Sequence, residues 1–340
     1  MANKLNIGVI GAGRIGKIHA ENIARFIPQA KLEGIVDIQF SDKQKIWAKN
    51  LGVGIISNNV KDLFSASSID AVIICSSTDT HADLTIAAAE AGKHIFCEKP
   101  IDLSVEKAKA AIAAAKKAGV KLMVGFNRRF DHNFARVREH TLAGGIGDVH
   151  LVKITSRDPA PPPPAYVAVS GGIFLDMMIH DFDMARFQAG SEITEVFAAG
   201  SVLVDPEIGK AGDIDTAIVT LKFANGAIGV IDNSRKAAYG YDQRVEVFGS
   251  KGAAIADNDT PNTVKLFNEA GVTGEKPLYF FLERYKGAFI EEMSAFIDVI
   301  QNNKPVPVTG EDALADMYAA LAAGKSLKEG RPVKLEEIIK

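Results

Sequence analysis

Cysteine is scarce in this sequence, and its scarcity excludes two kinds of structure. The 340 residues include two cysteines, Cys75 and Cys97, and each lies near the end of an apolar run. A disulfide framework or a cysteine-based zinc site needs more of them. We therefore expect no disulfide framework, no metal site and a reducing, cytoplasmic compartment.

Long apolar runs and an excess of basic charge are also missing. The first apolar stretch, LNIGVI at 5–10, ends at glycines, is too short to span a bilayer and lacks a signal-peptide cleavage pattern, and no later stretch reaches membrane length. Lysine and arginine total 39 against 42 acidic residues, giving a formal net charge of -3 with no basic stripe. We therefore predict neither a membrane nor a nucleic-acid partner.

The bulk composition is that of an ordinary globular protein of more than one domain. Hydrophobic residues make up 47% and charged residues 24% of the chain. A chain of 340 residues is longer than one hydrophobic core usually grows, so two domains are expected.

A glycine-rich motif follows the first predicted strand. GAGRIG places glycines at 11, 13 and 16, a predicted helix follows, and KLEGIVD at 31–37 reads as a second strand. In a dinucleotide-binding turn the first glycine permits a tight bend, the second lets the backbone approach the pyrophosphate, and the third lets the helix pack on the strand. The helix N-terminus then offers unpaired N–H groups to the phosphates.

Asp37 ends the second strand, 21 positions after Gly16. An acid at this place accepts hydrogen bonds from the adenosine ribose and repels a 2′-phosphate. Ile38 and Gln39 follow Asp37, and neither is an arginine that could bind a 2′-phosphate. The sequence therefore predicts NAD rather than NADP.

Strands and helices keep alternating through residue 126, which predicts a parallel, doubly wound sheet. The later strands read as DAVIICS at 70–76, KHIFCEKP at 93–100 and KLMVGF at 121–126. Ligands of such sheets bind beyond the carboxyl ends of the strands. This rule singles out Ser76, Thr78, the Glu98-Lys99-Pro100 corner and the FNRRFD segment at 126–131.

The remainder of the chain has a different pattern. Long strand-like runs, the last of them TVKLFN at 263–268, are joined by Asn-Gly and Ser-Lys-Gly turns and predict a large, mostly antiparallel open sheet. Helices are expected at 174–189, 284–302 and 310–328. We therefore predict an α/β N-terminal domain over 1–125 and an α+β substrate-binding and oligomerisation domain over 126–340. The proline run at 161–164 predicts a stiff polyproline loop, either a lid over the site or a spacer.

One predicted helix of the second domain carries an unusual polar face. In FLDMMIHDFDMARF at 174–187, helical spacing lets Asp176 reach His180 and His180 reach Asp183. Three interpretations are open for this stretch: helix capping with a solvated pair, a shared metal ion, or acid/base chemistry in which a carboxylate orients a histidine that moves a proton. Asp183 is predicted either to contact the site residues without touching substrate or to cap the helix.

Three motifs together give the chain a family resemblance. GAGRIG near the start, EKP at 98–100 and GGIFLDMMIHDFD at 171–183 resemble, in order and spacing, the glucose-fructose oxidoreductase and inositol dehydrogenase family over essentially the whole chain. CEKP followed by FNRRFD, with SRDP at 156–159 and ERY at 283–285, looks most like the inositol 2-dehydrogenases. The resemblance implies a Rossmann domain and NAD-dependent oxidation of a cyclic polyol, with myo-inositol giving 2-keto-myo-inositol (scyllo-inosose).

The resemblance also implies roles for individual residues. His180 would remove the hydroxyl proton, Asp176 would orient and stabilise the histidine ring, and Lys99 would stabilise developing alkoxide character. Predicted cofactor contacts are Gly11, Gly13, Arg14, Ile15, Gly16, Asp37, Ser76, Thr78, His81 and Glu98. Predicted substrate contacts are Asn127, Arg129, Asp158, Tyr239 and Tyr285.

Other functions and the oligomeric state stay open at this point. Another inositol isomer or an aldose such as glucose presents similar hydroxyls, and a non-catalytic NAD or sugar sensor could keep the fold. A sensor would be free to lose Lys99, Asp176 or His180, and this chain keeps all three, which favours an enzyme. An open sheet needs a cover, and the family suggests a homotetramer through the C-terminal sheet.

Overall fold

The computed structural model describes residues 4–339, which divide into two units by their internal contacts. The first unit holds the chain up to Phe130 together with Gly287–Ala315, and the second holds Asp131–Lys286 and the chain from Asp316 onward. The sequence pattern carried no sign that Gly287–Ala315 returns to the first unit. The functional boundary at residue 125 stays a prediction.

The first unit is built on a six-stranded parallel sheet with the strand order β3-β2-β1-β4-β5-β6. Its strands are β1 (Leu5–Ile10), β2 (Ala30–Val36), β3 (Ile55–Ser57), β4 (Ala71–Ile74), β5 (His94–Glu98) and β6 (Leu122–Gly125). Its connecting helices are α1 (Arg14–Phe26), α2 (Asp42–Asn50), α3 (Lys61–Phe64), α4 (His81–Glu90) and α5 (Val105–Ala118). This confirms the doubly wound sheet; β3 and the helices beside it were not predicted.

The strands of this sheet are buried on both faces, as strands covered by helices must be. Ile7, Val9, Ile73, Ile95 and Phe96 are all 0% exposed. Local signals set the helix ends. The Ser104 hydroxyl accepts a hydrogen bond from the backbone N–H of Lys107 at the start of α5, and Gly119 ends that helix in the left-handed conformation at φ +69°.

The second unit is built on a seven-stranded mixed sheet and several short helices. The strands between residues 149 and 334 are β7 (Val149–Arg157), β8 (Ile193–Ser201), β9 (Thr216–Phe223), β10 (Ile228–Ser234), β11 (Asp242–Gly249), β12 (Gly252–Ala256), β13 (Lys265–Asn268), β14 (Gly271–Gly274) and β15 (Val333–Lys334). The helices of this unit are α6 (His132–Leu142), α7 (Pro164–Val167), α8 (Gly172–Asp176), α9 (Ile179–Ala189), α10 (Pro206–Lys210) and α11 (Phe281–Arg284). Helix α12 (Lys286–Gln301) lies almost wholly in the segment assigned to the first unit, and α13 (Gly310–Glu329) begins in that segment and ends in the second unit.

The large sheet confirms the mostly antiparallel prediction. Its order is β12-β11-β7-β10-β9-β8-β15, and β7 and β10 form its parallel pair. The run TVKLFN at 263–268 was expected in this sheet, and that expectation was wrong. Its residues form β13, which pairs with β14 in a separate, exposed hairpin.

The two faces of this sheet differ. Along β9 the side chains alternate between buried and exposed, so one face packs against α9 and the neighbouring core while the other is open in the single chain. The open side carries large apolar residues that are at least a third exposed: Phe197, Ile218, Ile228, Phe248 and Ile255.

Two helices, α8 and α9, replace the single helix predicted at 174–189, so the prediction of one continuous helix was wrong. The chain turns at Met177 and Met178, whose backbone N–H groups both donate to the Ile173 carbonyl. Both methionine side chains are buried, which a continuous helix with one apolar stripe would not achieve. Moreover α9 is buried on nearly all sides, including Asp181 and Asp183 at 0% exposure, rather than showing a solvated polar face.

The returning segment completes the first unit. The Phe296 ring of α12 packs edge-on against Phe96 of β5, with ring centroids 5.8 Å apart. The backbone N–H of Val124 in β6 donates to the Val308 carbonyl at 3.1 Å. Segment Gly287–Ala315 therefore covers the β5-β6 side of the parallel sheet.

Pro163 has the dihedral angles of a polyproline segment, φ −57° and ψ 140°, but Pro164 begins α7, so the predicted loop at 161–164 ends one residue early. Within residues 4–339, none of the helices has both the length and the apolar character needed to cross a bilayer.

Candidate active site

The glycine motif of the first unit forms the turn between β1 and α1. A Cβ atom at Gly11, whose φ is +97°, would lie 2.6 Å from the Cys75 carbonyl oxygen, and one at Gly16 would lie 1.8 Å from the Gly11 carbonyl oxygen. Neither position has room for a side chain. A Cβ atom at Gly13 would meet nothing within 4 Å, so the open side of the turn lies there. Arg14 is exposed and Ile15 half-buried at the start of α1.

Asp37 follows β2 and lies beside this turn. Its carboxylate accepts hydrogen bonds from the backbone N–H groups of Ala12 at 2.7 Å and Gln39 at 2.8 Å. The acid and the glycine turn are thus joined directly. A Gly13 turn with open space, a helix N-terminus and an adjacent carboxylate fit the pyrophosphate and ribose of a dinucleotide.

The carboxyl end of β4 supplies the next predicted cofactor residues. The Ser76 and Thr80 hydroxyls are 2.6 Å apart, and Thr78 begins a short 3-10 turn that leads into α4. These hydroxyls lie at the edge of the sheet that the topology rule selects.

His81, a predicted cofactor contact, is buried behind the β4 end. It is 2% exposed, and its ring nitrogens lie 2.8 Å from the Pro100 carbonyl and 3.0 Å from the Ser76 carbonyl. Burial lowers the pKa of His81, but contact with Cys97 and with these carbonyls outweighs it and raises the pKa to about 9. The ring therefore joins the chain beyond β4 to the chain beyond β5, and its contact with the cofactor stays a prediction.

The β5 end presents Glu98 and Lys99, both half-buried. The Glu98 carboxylate lies 2.6 Å from Nε2 of the buried His19 on α1. Sequence reasoning missed His19. The signal that could have found it is its position three residues after Gly16, on the side of α1 that packs against the sheet.

The 3-10 turn Asn127–Phe130 follows β6. Asn127 is 5% exposed. Arg129 was expected to contact substrate, but its guanidinium donates to the Pro307 carbonyl and to the Asp312 carboxylate, each at 3.1 Å. The substrate contact of Arg129 stays a prediction, and the sequence did not show that residues 307–312 return to this turn.

In the second unit, α8 and the following turn position Asp176. Its carboxylate accepts a hydrogen bond from the Tyr166 hydroxyl at 2.8 Å and one from Nη1 of Arg235 at 3.2 Å. Arg235 is 1% exposed and also reaches Asp213, whose Oδ1 accepts from the backbone N–H of Ile173. The start of α8 and the Asp176 carboxylate are therefore held by one buried guanidinium.

His180 lies in the first turn of α9, half-buried, after the break that follows Asp176. The helix that carries it is fixed to the sheet, since the Asn233 side chain of β10 donates to Asp181 at 2.9 Å. Asp183, also in α9, is fully buried. Burial lowers the pKa of Arg186, but the hydrogen bonds to Glu192 and the charges of Asp316, Glu192 and Asp183 outweigh it and raise that pKa.

The other predicted substrate residues lie near the carboxyl ends of β7 and β10 or in the core. The Ala237 N–H donates to the Asp158 carbonyl, and the Tyr239 hydroxyl is held between Asp242 and Arg157. Tyr285 is 2% exposed and donates to Gln243 at 3.3 Å, so it packs inside the unit. Arg235, Tyr166 and Asp213 were missed, because nothing in sequence spacing links three such distant segments.

Comparison with known proteins decides the family. Residues 5–126 match the model described as an oxidoreductase family with an NAD-binding Rossmann fold, and residues 134–255 match a GFO/IDH/MocA C-terminal domain. The chain belongs to this oxidoreductase family. Its cofactor is NAD.

Whole-length relatives agree with this assignment. The chain is 54% identical over 335 residues to a myo-inositol 2-dehydrogenase of Thermotoga maritima, covering 98% of this chain and 100% of that protein. A crystal structure of a probable dehydrogenase from Thermotoga maritima superposes with a TM-score of 0.96 at 54% identity, covering 98% of this chain and 100% of that one. A scyllo-inositol dehydrogenase from Lactobacillus casei, solved with NAD(H) and scyllo-inositol, superposes with a TM-score of 0.90 at 34% identity, covering 98% and 100%.

The Arg235 contacts give a stability prediction. Arg235→Leu removes the guanidinium that faces Asp176 and Asp213, and we expect the free energy of unfolding to fall by about 3 kcal/mol. Arg235→Lys keeps the positive charge but cannot contact both carboxylates as a guanidinium does, so its free energy of unfolding should fall by less. Urea unfolding at neutral pH measures both. Arg136→Leu breaks an exposed pair with Glu139 and serves as control, with an expected loss below about 1 kcal/mol. An Arg235→Leu protein no less stable than the control would contradict the inferred role.

Proposed function

We propose that this oxidoreductase oxidises a ring hydroxyl of a cyclic polyol with NAD, converting myo-inositol to 2-keto-myo-inositol (scyllo-inosose). The observation that carries the proposal is the 54% identity to a myo-inositol 2-dehydrogenase over 98% of the chain. The retention of Lys99, Asp176 and His180 supports it.

In the proposed reaction the C–H bond gives a hydride to one acceptor and the O–H bond gives a proton to another. Bound NAD supplies the nicotinamide C4 that accepts the hydride from the carbinol carbon. His180 takes the hydroxyl proton as general base. Lys99 donates a hydrogen bond to the oxygen as negative charge develops on it, and remains protonated itself.

Asp176 would orient the His180 ring and stabilise its positive charge. Its carboxylate is fixed by Arg235 and Tyr166, so its position does not depend on helical spacing to His180. A fixed carboxylate stabilises an imidazolium at the moment it forms, which is the role we assign to Asp176. Among the hydroxyl-binding candidates we retain Asn127, Asp158 and Tyr239.

Another inositol isomer is the second candidate substrate. The similarity to a dehydrogenase solved with scyllo-inositol supports this candidate. A site that binds ring hydroxyls through hydrogen bonds can change its preferred epimer when one of those hydrogen bonds changes. A reducing, cytoplasmic location is part of the proposal.

The deciding experiment follows NADH formation spectrophotometrically with myo-inositol, scyllo-inositol, chiro-inositol and glucose. We expect the highest kcat/KM with myo-inositol. A higher kcat/KM with scyllo-inositol or glucose would show that this compound, and not myo-inositol, is the preferred substrate. NAD binding without turnover of any of the four compounds would point to a sensor.

His180 is tested by substitution. His180→Ala should lower kcat roughly 10²- to 10⁴-fold, the usual contribution of a general base, with the NAD dissociation constant nearly unchanged. Steady-state kinetics and quenching of protein fluorescence by NADH measure the two quantities. His150→Ala, at an exposed position on β7, is the matched control. An unchanged kcat in His180→Ala would remove this residue from the mechanism.

Asp37 is tested by cofactor preference. Asp37→Ala should weaken NAD binding and narrow the discrimination against NADP, because it removes both the ribose acceptor and the repulsion of the 2′-phosphate. Dissociation constants for both dinucleotides measure the effect. Asp42→Ala, a highly exposed carboxylate at the start of α2, is the control. If neither constant moved, Asp37 would not face the ribose.

The open face of the large sheet underlies the proposed homotetramer. Its exposed apolar residues form the kind of surface that subunit contacts cover. Ile218→Glu should lower the molar mass measured by light scattering, while Leu142→Glu, at an exposed position at the end of α6, should not. A wild-type protein with the mass of one chain would disprove the tetramer.

A further inference from the structure

A buried group of ionisable side chains lies inside the first unit, behind the β5 end. His19 of α1 and Glu292 of α12 are both 0% exposed. Nε2 of His19 lies 2.6 Å from Oε1 of Glu98 and 4.0 Å from Oε1 of Glu292. The mechanism above assigns no role to His19 or Glu292.

The position of the His19 ring is strongly constrained. It packs edge-on against Phe96, with centroids 5.2 Å apart, and against Phe289, with centroids 5.7 Å apart. Gly125, the partner of Glu98 in β6, leaves room on the other side, since a Cβ atom there would lie 2.9 Å from Glu98 Oε2. The Glu98 carboxylate therefore points inward to His19 because the neighbouring strand has no side chain at that place.

Glu292 is not hydrogen-bonded to this group. Within the part of the chain that the structure describes, neither of its carboxyl oxygens has a hydrogen-bond partner. Burial, and then repulsion by Glu98, raise the pKa of Glu292 well above its usual value. Glu98, at 2.6 Å, is therefore the carboxyl group within hydrogen-bond distance of Nε2 of His19, while Glu292, at 4.0 Å, lies beyond it.

A metal ion is the competing explanation. One atom each of His19, Cys75 and Glu98 lies within 4.8 Å of the others. However, two ligands at 2.0–2.1 Å from a tetrahedral zinc ion are separated by about 3.3 Å. The His19–Glu98 distance of 2.6 Å is instead that of a charge-assisted hydrogen bond. Burial also raises the pKa of the Cys75 thiol, which opposes the thiolate that zinc requires.

We propose that His19 is a positioning residue, whose hydrogen bond to Glu98 fixes the Glu98-Lys99 corner in place for the reaction. The inference rests on the proposed function, because it assumes that the Lys99 ammonium faces the reacting oxygen. Helix α1 begins at the glycine turn, and β5 ends at Glu98, directly before Lys99. One buried hydrogen bond thus joins the element that receives the dinucleotide to the element that carries the ammonium.

The test compares variants that differ in the hydrogen bond and not in the packing. His19→Phe keeps a ring between Phe96 and Phe289 but has no donor. His19→Gln places an amide N–H near the position of Nε2 and should restore the contact. Glu21→Gln, on the same helix but bonded to Trp47, is the control. Should His19→Phe fail to fold, His19→Asn, whose side chain is too short to reach Glu98, replaces it.

Three readouts are measured: kcat and KM for the polyol, the NAD dissociation constant, and hydrogen exchange of the backbone at residues 98–101 by mass spectrometry. We expect His19→Phe to lower kcat about 10- to 100-fold, as misplacement of a catalytic group by an ångström does, with NAD affinity within about twofold. Exchange at 98–101 should quicken. His19→Gln and Glu21→Gln should resemble the wild type in all three.

Several results would overturn the proposal. One is a His19→Phe protein with wild-type kcat and exchange. Another is equal damage in His19→Phe and His19→Gln, which would assign the effect to packing. A third is one equivalent of bound metal in the wild type that His19→Phe loses. Failure of the wild type to oxidise any of the four compounds defeats the proposed function; the exchange rates, which need no turnover, then decide whether His19 fixes the corner.

Discussion

The first unit depends on the close approach of a helix to a sheet at two positions that have no side chain. Helix α1 begins against β1 and β4 because Gly16 lies over the Gly11 carbonyl and Gly11 lies over the Cys75 carbonyl. Any Cβ atom at either place would push the helix from the strands. That approach brings the helix N-terminus to the carboxyl edge of the sheet and brings His19, one turn further, into contact with Glu98. The exposure of the helix N-terminus at that edge and the contact of His19 with Glu98 thus share one cause.

The second unit buries several charged side chains, and these need hydrogen-bond or ion-pair partners. Helix α9 enters the core with Asp181, Asp183 and Arg186 on it. Its preceding turn is held by Arg235 through two carboxylates. Buried ions of this kind add little to stability as a set, but losing one partner is costly, and so they fix a geometry. A fixed geometry is what the proton transfer proposed for Asp176 and His180 requires.

Regular patterns in the sequence predicted much of the fold and part of the site. Alternating strands and helices, the glycine spacing and Asp37 are local signals, and the structure places them as expected in the parallel sheet. The break between Asp176 and His180 was not predicted, because burial of Met177 and Met178 depends on neighbours distant in the chain. The ion pair of Arg129 with Asp312 was not predicted for the same reason, since Asp312 lies far along the chain. His19 was missed because an apolar helix face gives no sign of the carboxylate beyond it.

The return of Gly287–Ala315 makes the parallel-sheet unit discontinuous in the chain. Phe296 covers Phe96, the Val308 carbonyl accepts from β6, and Asp312 neutralises Arg129. A polypeptide cut at residue 130 would lack all three and would expose apolar surface beside β5. On the ribosome, the nucleotide-binding half is translated first but is completed only after the intervening half has emerged. Its maturation is therefore tied to synthesis of nearly the whole protein.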